Sequence, residues 1–256
     1  MDRIVLKVGS AILVDKQQIN IQRIESLAKI ISTLREKYEV ILVSSGAVAT
    51  GYTALKLDKS SLANKQALAA IGQPLLMQKY AEIFKKYNVL TAQMLVSWHD
   101  FDSRKHTKNA KNTIEVLLKN DILPIINEND VTAIGELLKL GFGDNDQLSA
   151  YVTHYFDASL LVILSDIDGY YDKNPQYNKD AKKYKIVNNI EKSELESEAT
   201  PNNEFATGGI VTKLKAANFL LENNRAMFLS NGDKLEVLSE FLLNNNHIDG
   251  TLFKRD

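Results

Sequence analysis

Apolar positions along the chain fall into two rhythms. Short, nearly continuous apolar runs occur at "RIVLKVG" (3–9), "EVILVSSG" (39–46), "VLTAQMLVS" (89–97), "ILPIIN" (122–127), "SLLVILSD" (159–166) and "RAMFLS" (225–230). Runs this short, bounded by turn-forming residues, predict strands buried on both faces. Helix-length amphipathic stretches lie between them. In "IQRIESLAKIISTLREKY" (21–38), Ile24, Leu27, Ile31 and Leu34 share one helical face. Further helices are expected over "RKHTKNAKNTIEVLLKN" (104–120), "NDQLSAYVTHYF" (145–156), "GGIVTKLKAANFLLENN" (208–224) and "DKLEVLSEFLL" (233–243). The stretch "SSLANKQALAAIGQPLLMQKYAEIFKKY" (60–87) reads as two helical pieces broken near Gly72-Gln73-Pro74. Strands alternating with helices predict an α/β fold: a three-layer α/β/α sandwich around a mainly parallel central sheet.

Two segments depart from this rhythm. "VTAIGELLKLGFG" (131–143) has the pattern of a hairpin turning near Gly135-Glu136, and 168–205, rich in Lys, Asn, Tyr and Glu, reads as a polar loop region with short elements. No linker-like shift in composition and no internal repeat divides the chain, so residues 1–256 are expected to form one domain.

Composition narrows the field mainly by exclusion. A chain of 256 residues can bury a sizeable core. Its 31 Lys and Arg nearly balance its 32 Asp and Glu, which gives no electrostatic reason to expect nucleic acid or an acidic membrane as partner. The absence of cysteine excludes disulfides, thiolate catalysis and zinc–sulfur sites, and fits the reducing cytoplasm expected as its location. No apolar run approaches the roughly 18 residues that suggest a membrane span. The start "MDRIVLKVGS" is too short and too charged for a signal peptide.

In parallel sheets, ligands sit at the carboxyl ends of the strands. Four polar motifs fall there: "KVGS", "SSGA", "NEND" and "SDIDG". Each could be an ordinary turn, but their convergence on one sheet edge favours a site. Lys7, inside a buried strand, is either a snorkelling edge lysine or a cation aimed into the cleft. Beside it, Gly9 lets backbone N–H groups approach an anion, and Gly46 opens a helix whose N-terminus suits one too. "ATGGIVTKLKAA" (206–217) repeats that logic: Gly208 and Gly209 precede a helix that carries Lys213 one turn in. The plain alternative is an ordinary helix start capped by Thr207. The glycines and lysine are not in Walker A order.

Two apparent motifs fail on inspection. "GFGDND" lacks the third glycine of a dinucleotide fingerprint, and "DNDQLSAYVTHY" places Leu148 where a calcium loop needs an oxygen ligand. His99, His106, His154 and His247 show no ligand spacing. Two lysines, glycine-flanked helix starts and two acid/amide clusters (127–130 and 144–146) instead suggest phosphoryl transfer, which rests on positioning and charge neutralisation. The missing general base is informative. An acceptor carboxylate with a pKa of about 4.3 is already ionised at neutral pH and needs none.

The ordered series "KVGS", "VSSGAVATG", "IINEND", "GDNDQLSA", "LLVILSDIDGYY", "TGGIVTKLKAA" and "GTLF", spanning Arg3 to Phe253, resembles the amino acid kinase family. The likeness is greatest to its branch that phosphorylates the side-chain carboxylate of L-glutamate with ATP, giving L-glutamyl 5-phosphate as the first step of proline biosynthesis. That resemblance implies roles residue by residue. Lys7 and Lys213 would contact ATP phosphates, with Asp146 holding Lys7 by an ion pair. Ser45, Gly46, Asn127, Asp130 and Asn145 would bind glutamate. Gly9, Ser165 and Asp166, with Thr207, Gly208, Gly209, Ile210, Val211, Thr212 and Lys213, would line the nucleotide site. Mg2+ would bridge ATP phosphates without a metal site made of protein side chains. The resemblance further implies L-proline as a feedback ligand, the 131–143 hairpin lying over the substrate, a homodimer or homotetramer, and transfer of product to glutamyl-5-phosphate reductase. Many bacterial members carry a C-terminal PUA domain. This chain stops just after "GTLFKRD", so a catalytic domain without that appendage is expected.

Two alternatives stay open at this point. One is a sibling kinase acting on N-acetylglutamate, aspartate, carbamate or UMP, although the cleft motifs lack the arginines a UMP site would need. The other is a non-catalytic amino-acid sensor, against which the joint presence of Lys7, Asp146 and Lys213 speaks.

Overall fold

A computed structural model describes residues 1–15, 18–132, 145–196 and 209–255. In chain order these form β1 (Asp2–Val8), α1 (Ser10–Leu13), β2 (Val14–Asp15), β3 (Gln18–Ile19), α2 (Ile21–Leu34), β4 (Tyr38–Ser44), α3 (Ala47–Ala54), α4 (Leu62–Lys85), β5 (Thr91–Val96) and α5 (Trp98–Asp102). They continue as α6 (Arg104–Lys119), β6 (Leu123–Glu128), α7 (Asn145–Tyr155), β7 (Leu160–Ser165), β8 (Ile186–Val187), α8 (Lys192–Glu196), α9 (Ile210–Glu222), β9 (Ala226–Asn231), α10 (Leu235–Leu243) and β10 (Thr251–Phe253). The expected hairpin at 131–143 lies outside the described residues apart from Val131 and Thr132.

Eight strands form one sheet in the order β5-β6-β4-β1-β7-β9-β10-β8. From β5 to β9 every pairing is parallel, and β10 alone runs antiparallel to β9. Strand alternation sends successive side chains to opposite faces. Ile4, Leu6 and Val8 of β1 join the helix α2, α4 and α10 core on one face, whereas Val5 joins the α6, α7 and α9 core on the other. The three-layer α/β/α sandwich expected from the pattern is the architecture found. Among the described residues, no helix is long and apolar enough to cross a membrane.

The break expected in 60–87 does not occur, because α4 runs unbroken through Pro74. Proline removes one backbone donor and crowds the carbonyl four residues back. Both Pro74 and Ala70 lie on the exposed side, where water can take up that carbonyl. Gly72, on the opposite side, permits close packing of α4 on α3. A Cβ there would lie 1.9 Å from the Ala47 carbonyl oxygen, and one at Gly51 would lie 1.9 Å from that of Leu68. Those glycines are therefore packing residues rather than helix breakers.

Candidate active site

Parallel strands bring their carboxyl ends to one edge. Val8, the last residue of β1, is level with Ser44 on β4 and Leu164 on β7. The backbone N–H of Gly9 donates to the Leu164 carbonyl at 3.3 Å, and that of Ser45 to the Val8 carbonyl at 3.1 Å. "KVGS", "SSGA", "NEND" and "SDIDG" thus follow strands that end together. Behind the β4 end, the Ser44 and Tyr80 hydroxyls share a buried hydrogen bond of 2.8 Å, which pins the strand to α4.

Lys7 belongs to the β1 face that meets α7 and α9, and only 7% of it is exposed. Its Nζ lies 2.6 Å from Asp146 Oδ1. Lys213 reaches the same carboxylate from α9, with Nζ 3.1 Å from Oδ2, and the Thr212 hydroxyl donates to that oxygen at 3.0 Å. Asp146 is fully buried. Burial alone would push its carboxyl up, but the charges of Lys7 and Lys213 together hold it below the usual carboxylate value. One buried carboxylate therefore anchors two cations carried by separate elements.

Local structure explains how these groups meet. Asp146 sits in the first turn of α7, where a negative charge is favoured by the helix dipole. Gly209 caps α9 in the left-handed region at φ 94°, which a side chain would strain. Lys213, one turn further, also donates to the Gly209 carbonyl at 3.1 Å. A lysine so near a helix N-terminus works against the dipole unless an anion is close. The Gln147 side chain ties the two helices by donating to the Thr212 carbonyl at 3.1 Å.

A second cluster lies beside the first and is built from amides. Asn145 Nδ2 donates to Ser45 Oγ at 2.8 Å and to Asn127 Oδ1 at 3.0 Å. Asn127 Nδ2 donates in turn to Gln73 Oε1 at 2.9 Å, wholly inside the protein. Asn145 Oδ1 is buried without a hydrogen-bond partner among the described residues. Gly46 caps α3 at φ 104°, packed against Leu13 and Leu76. Asp130 lies in the adjoining groove with Gln73, Pro74 and Leu95.

A separate pocket opens beyond β7 and β9, lined by Asp166, Asp168, Tyr170, Tyr171, Asn174 and Lys234, with Ile210 at the α9 side. The Ser165 hydroxyl donates to Asp166 Oδ1 at 2.8 Å. The structure thus gathers Lys7, Asp146, Thr212 and Lys213 in one group and Ser45, Asn127 and Asn145 in another. Asp166 and Ile210 border the pocket, while Ser165, the last residue of β7, reaches it only through its hydrogen bond to Asp166. Val211 is partly buried and packs against the core. Thr207 and Gly208 lie outside the described residues.

Gln73 and Gln147 escaped the sequence reading. Gln73 carried a usable signal: a polar residue set into the apolar stripe of Leu68, Ala69, Gly72 and Leu76. Gln147 carried none, since its partner is distant in sequence.

Comparison with known proteins bears on this arrangement. Residues 2–231 match the amino acid kinase family. The chain is 58% identical over 251 residues to the Glutamate 5-kinase of Leishmania donovani, covering 98% of this chain and 94% of that protein. It is 59% identical over 255 residues to the Glutamate 5-kinase of Wolinella succinogenes, covering 99% and 98% respectively. Among solved structures it is similar to the T. acidophilum isopentenyl phosphate kinase, with a TM-score of 0.66, 15% identity and coverage of 98% and 100%. It is also similar to UMP kinase from Ureaplasma parvum, with a TM-score of 0.64, 18% identity and coverage of 99% of each chain. These two structural likenesses speak to the fold alone.

Proposed function

The chain belongs to the amino acid kinase family, and from that premise we propose that it transfers the γ-phosphoryl group of ATP to the side-chain carboxylate of L-glutamate. The product is L-glutamyl 5-phosphate, an acyl phosphate, and the reaction opens proline biosynthesis. The observation that carries this reading is the Lys7–Asp146–Lys213 bridge, two buried cations held on one carboxylate beside a cluster of amides.

Phosphoryl transfer spreads negative charge over the oxygens of the migrating group, and fixed cations stabilise it. Lys7 and Lys213 supply those cations, and Asp146 fixes their positions. A carboxylate oxygen of glutamate attacks the γ-phosphorus, the new P–O bond forms as the bond to the β,γ-bridging oxygen breaks, and ADP departs with that electron pair. The acceptor is ionised at neutral pH, so no side chain has to remove a proton. Ser45 and Asn145 bind the amino-acid end, Asn127 supports Asn145, and Asp130 supplies a carboxylate for the ammonium group. Gly9 and Gly209 let backbone donors approach the phosphates, while Ser165, Asp166, Ile210 and the 207–212 stretch border the nucleoside.

The donor set at this centre is cationic, which suits phosphates rather than a metal held by protein side chains. Magnesium would therefore arrive on ATP, mostly hydrated, and neutralise the β- and γ-phosphate oxygens. The same reading takes residues 1–256 as one catalytic domain in the cytoplasm. It assembles as a homodimer or homotetramer, takes L-proline as feedback ligand, and passes its product to glutamyl-5-phosphate reductase.

Hydroxylamine, which converts an acyl phosphate to a coloured hydroxamate, provides the test. With ATP and magnesium, hydroxamate should form with L-glutamate and not with N-acetylglutamate or aspartate. Signal with another acid instead would overturn the substrate, and none with any acid from folded protein would overturn the reaction.

A further inference from the structure

We infer that Gln73 is a positioning residue that sets the direction of the amide chain reaching Ser45, and through it the preference for a free α-amino group. This rests on the substrate reading above. The chain has a direction because each link uses a donor on one side and an acceptor on the other. Gln73 presents Oε1, so Asn127 must turn its NH2 group toward α4, at 2.9 Å. Asn127 Oδ1 is then left to accept from Asn145 at 3.0 Å. Asn145 spends its NH2 group on Asn127 and Ser45, and its own carbonyl oxygen remains without a partner among the described residues.

A buried carbonyl without a donor is costly, and a charged donor satisfies it best. The α-ammonium of an amino acid is such a donor. Because Ser45 Oγ accepts from Asn145, its own proton is free for the α-carboxylate. Reversing the chain would leave an NH2 group where the ammonium has to sit, and two donors cannot pair. An N-acylated amino acid, which brings a carbonyl and a single uncharged N–H, would suffer less from that reversal. Gln73 stands at the root of the chain, 8% exposed, and on this reading acts on the substrate through Asn127 and Asn145.

Gln73→Met keeps length and shape but has no hydrogen-bonding carbonyl. Its KM for glutamate should rise about tenfold, the size of one bond to a charged group left unmade, while kcat and KM for ATP stay within about twofold. Its ratio of activity on N-acetylglutamate to that on glutamate should rise. Gln73→Glu retains an acceptor and should keep its KM for glutamate within about threefold of the parent. An unchanged KM for glutamate in the methionine variant, or a parallel fall in every kinetic constant together with the melting temperature, would overturn the inference. Should the methionine variant not fold, the glutamate variant decides alone, and a tenfold rise in its KM would have the same consequence. Parent protein that forms no hydroxamate with glutamate would instead refute the reaction itself, a separate outcome.

Discussion

Asp146→Asn is the substitution with the sharpest consequence. Asparagine matches aspartate in shape, so packing is held constant while the charge between Lys7 and Lys213 disappears. The carboxylate is fully buried and each lysine is 7% exposed, so water replaces little of the lost attraction. Breaking a buried ion pair by removing one partner costs about 3–5 kcal/mol. The Thr212 hydroxyl can still donate to the remaining oxygen, and the lysines can lean toward the cleft, which places the expected cost near the lower end. For a chain of this length a loss of about 3 kcal/mol lowers the melting temperature by roughly 10 °C. Turnover should fall further in significance, because both cations lose their anchor. An equal loss in the transition state alone is about a hundredfold in kcat. KM for glutamate should change little, since Ser45 and Asn145 are untouched. Thermal melting and hydroxamate formation on the same preparation test this. A variant that melts within about 2 °C of the parent and keeps more than about a tenth of its kcat would refute the reasoning.

Other predictions follow from the same geometry. Lys213→Ala should lower kcat by at least about a hundredfold with the fold retained, measured by hydroxamate formation and circular dichroism. Gly72→Ala should destabilise by about 3 kcal/mol or fail to fold, because its Cβ would meet the Ala47 carbonyl at 1.9 Å, and chemical denaturation measures this. Acid should separate parent from Asp146→Asn. The native Asp146 carboxyl lies below its unfolded value of about 3.9, so its stabilisation is complete above that pH and lost as pH falls through the lower native value. Melting temperatures of the two proteins should differ by a constant amount from pH 7 to 5 and converge below about pH 4. A gap that stays constant down to pH 3 would exclude that origin.

Much of the fold was legible because the parallel strands are buried on both faces and read as unbroken apolar runs. The short elements were not. β10 is three residues, β8 is two, and the β2–β3 hairpin is held by two residues on each side, too few for a periodic pattern. Pro74 misled because its effect depends on whether the freed carbonyl faces water, which is a tertiary fact. At the site, strand ends announced where polar groups would converge, and the resemblance supplied the Lys7–Asp146 pair. The second contact, Asp146 with Lys213, spans 67 residues, and the link from Asn127 to Gln73 spans 54. Such contacts have no local signature in the chain. Only the lone polar residue in an apolar stripe pointed toward Gln73.

The central claim concerns which oxygen receives the phosphoryl group. L-Glutamate carrying 18O in both oxygens of its side-chain carboxylate, incubated with ATP, magnesium and hydroxylamine, answers it. Attack by hydroxylamine at the acyl carbon expels phosphate together with the oxygen that bridged carbon and phosphorus. Phosphate recovered with one 18O atom per hydroxamate formed is the expected result. Phosphate free of label, released in step with ATP consumption, would mean transfer to water and would contradict it.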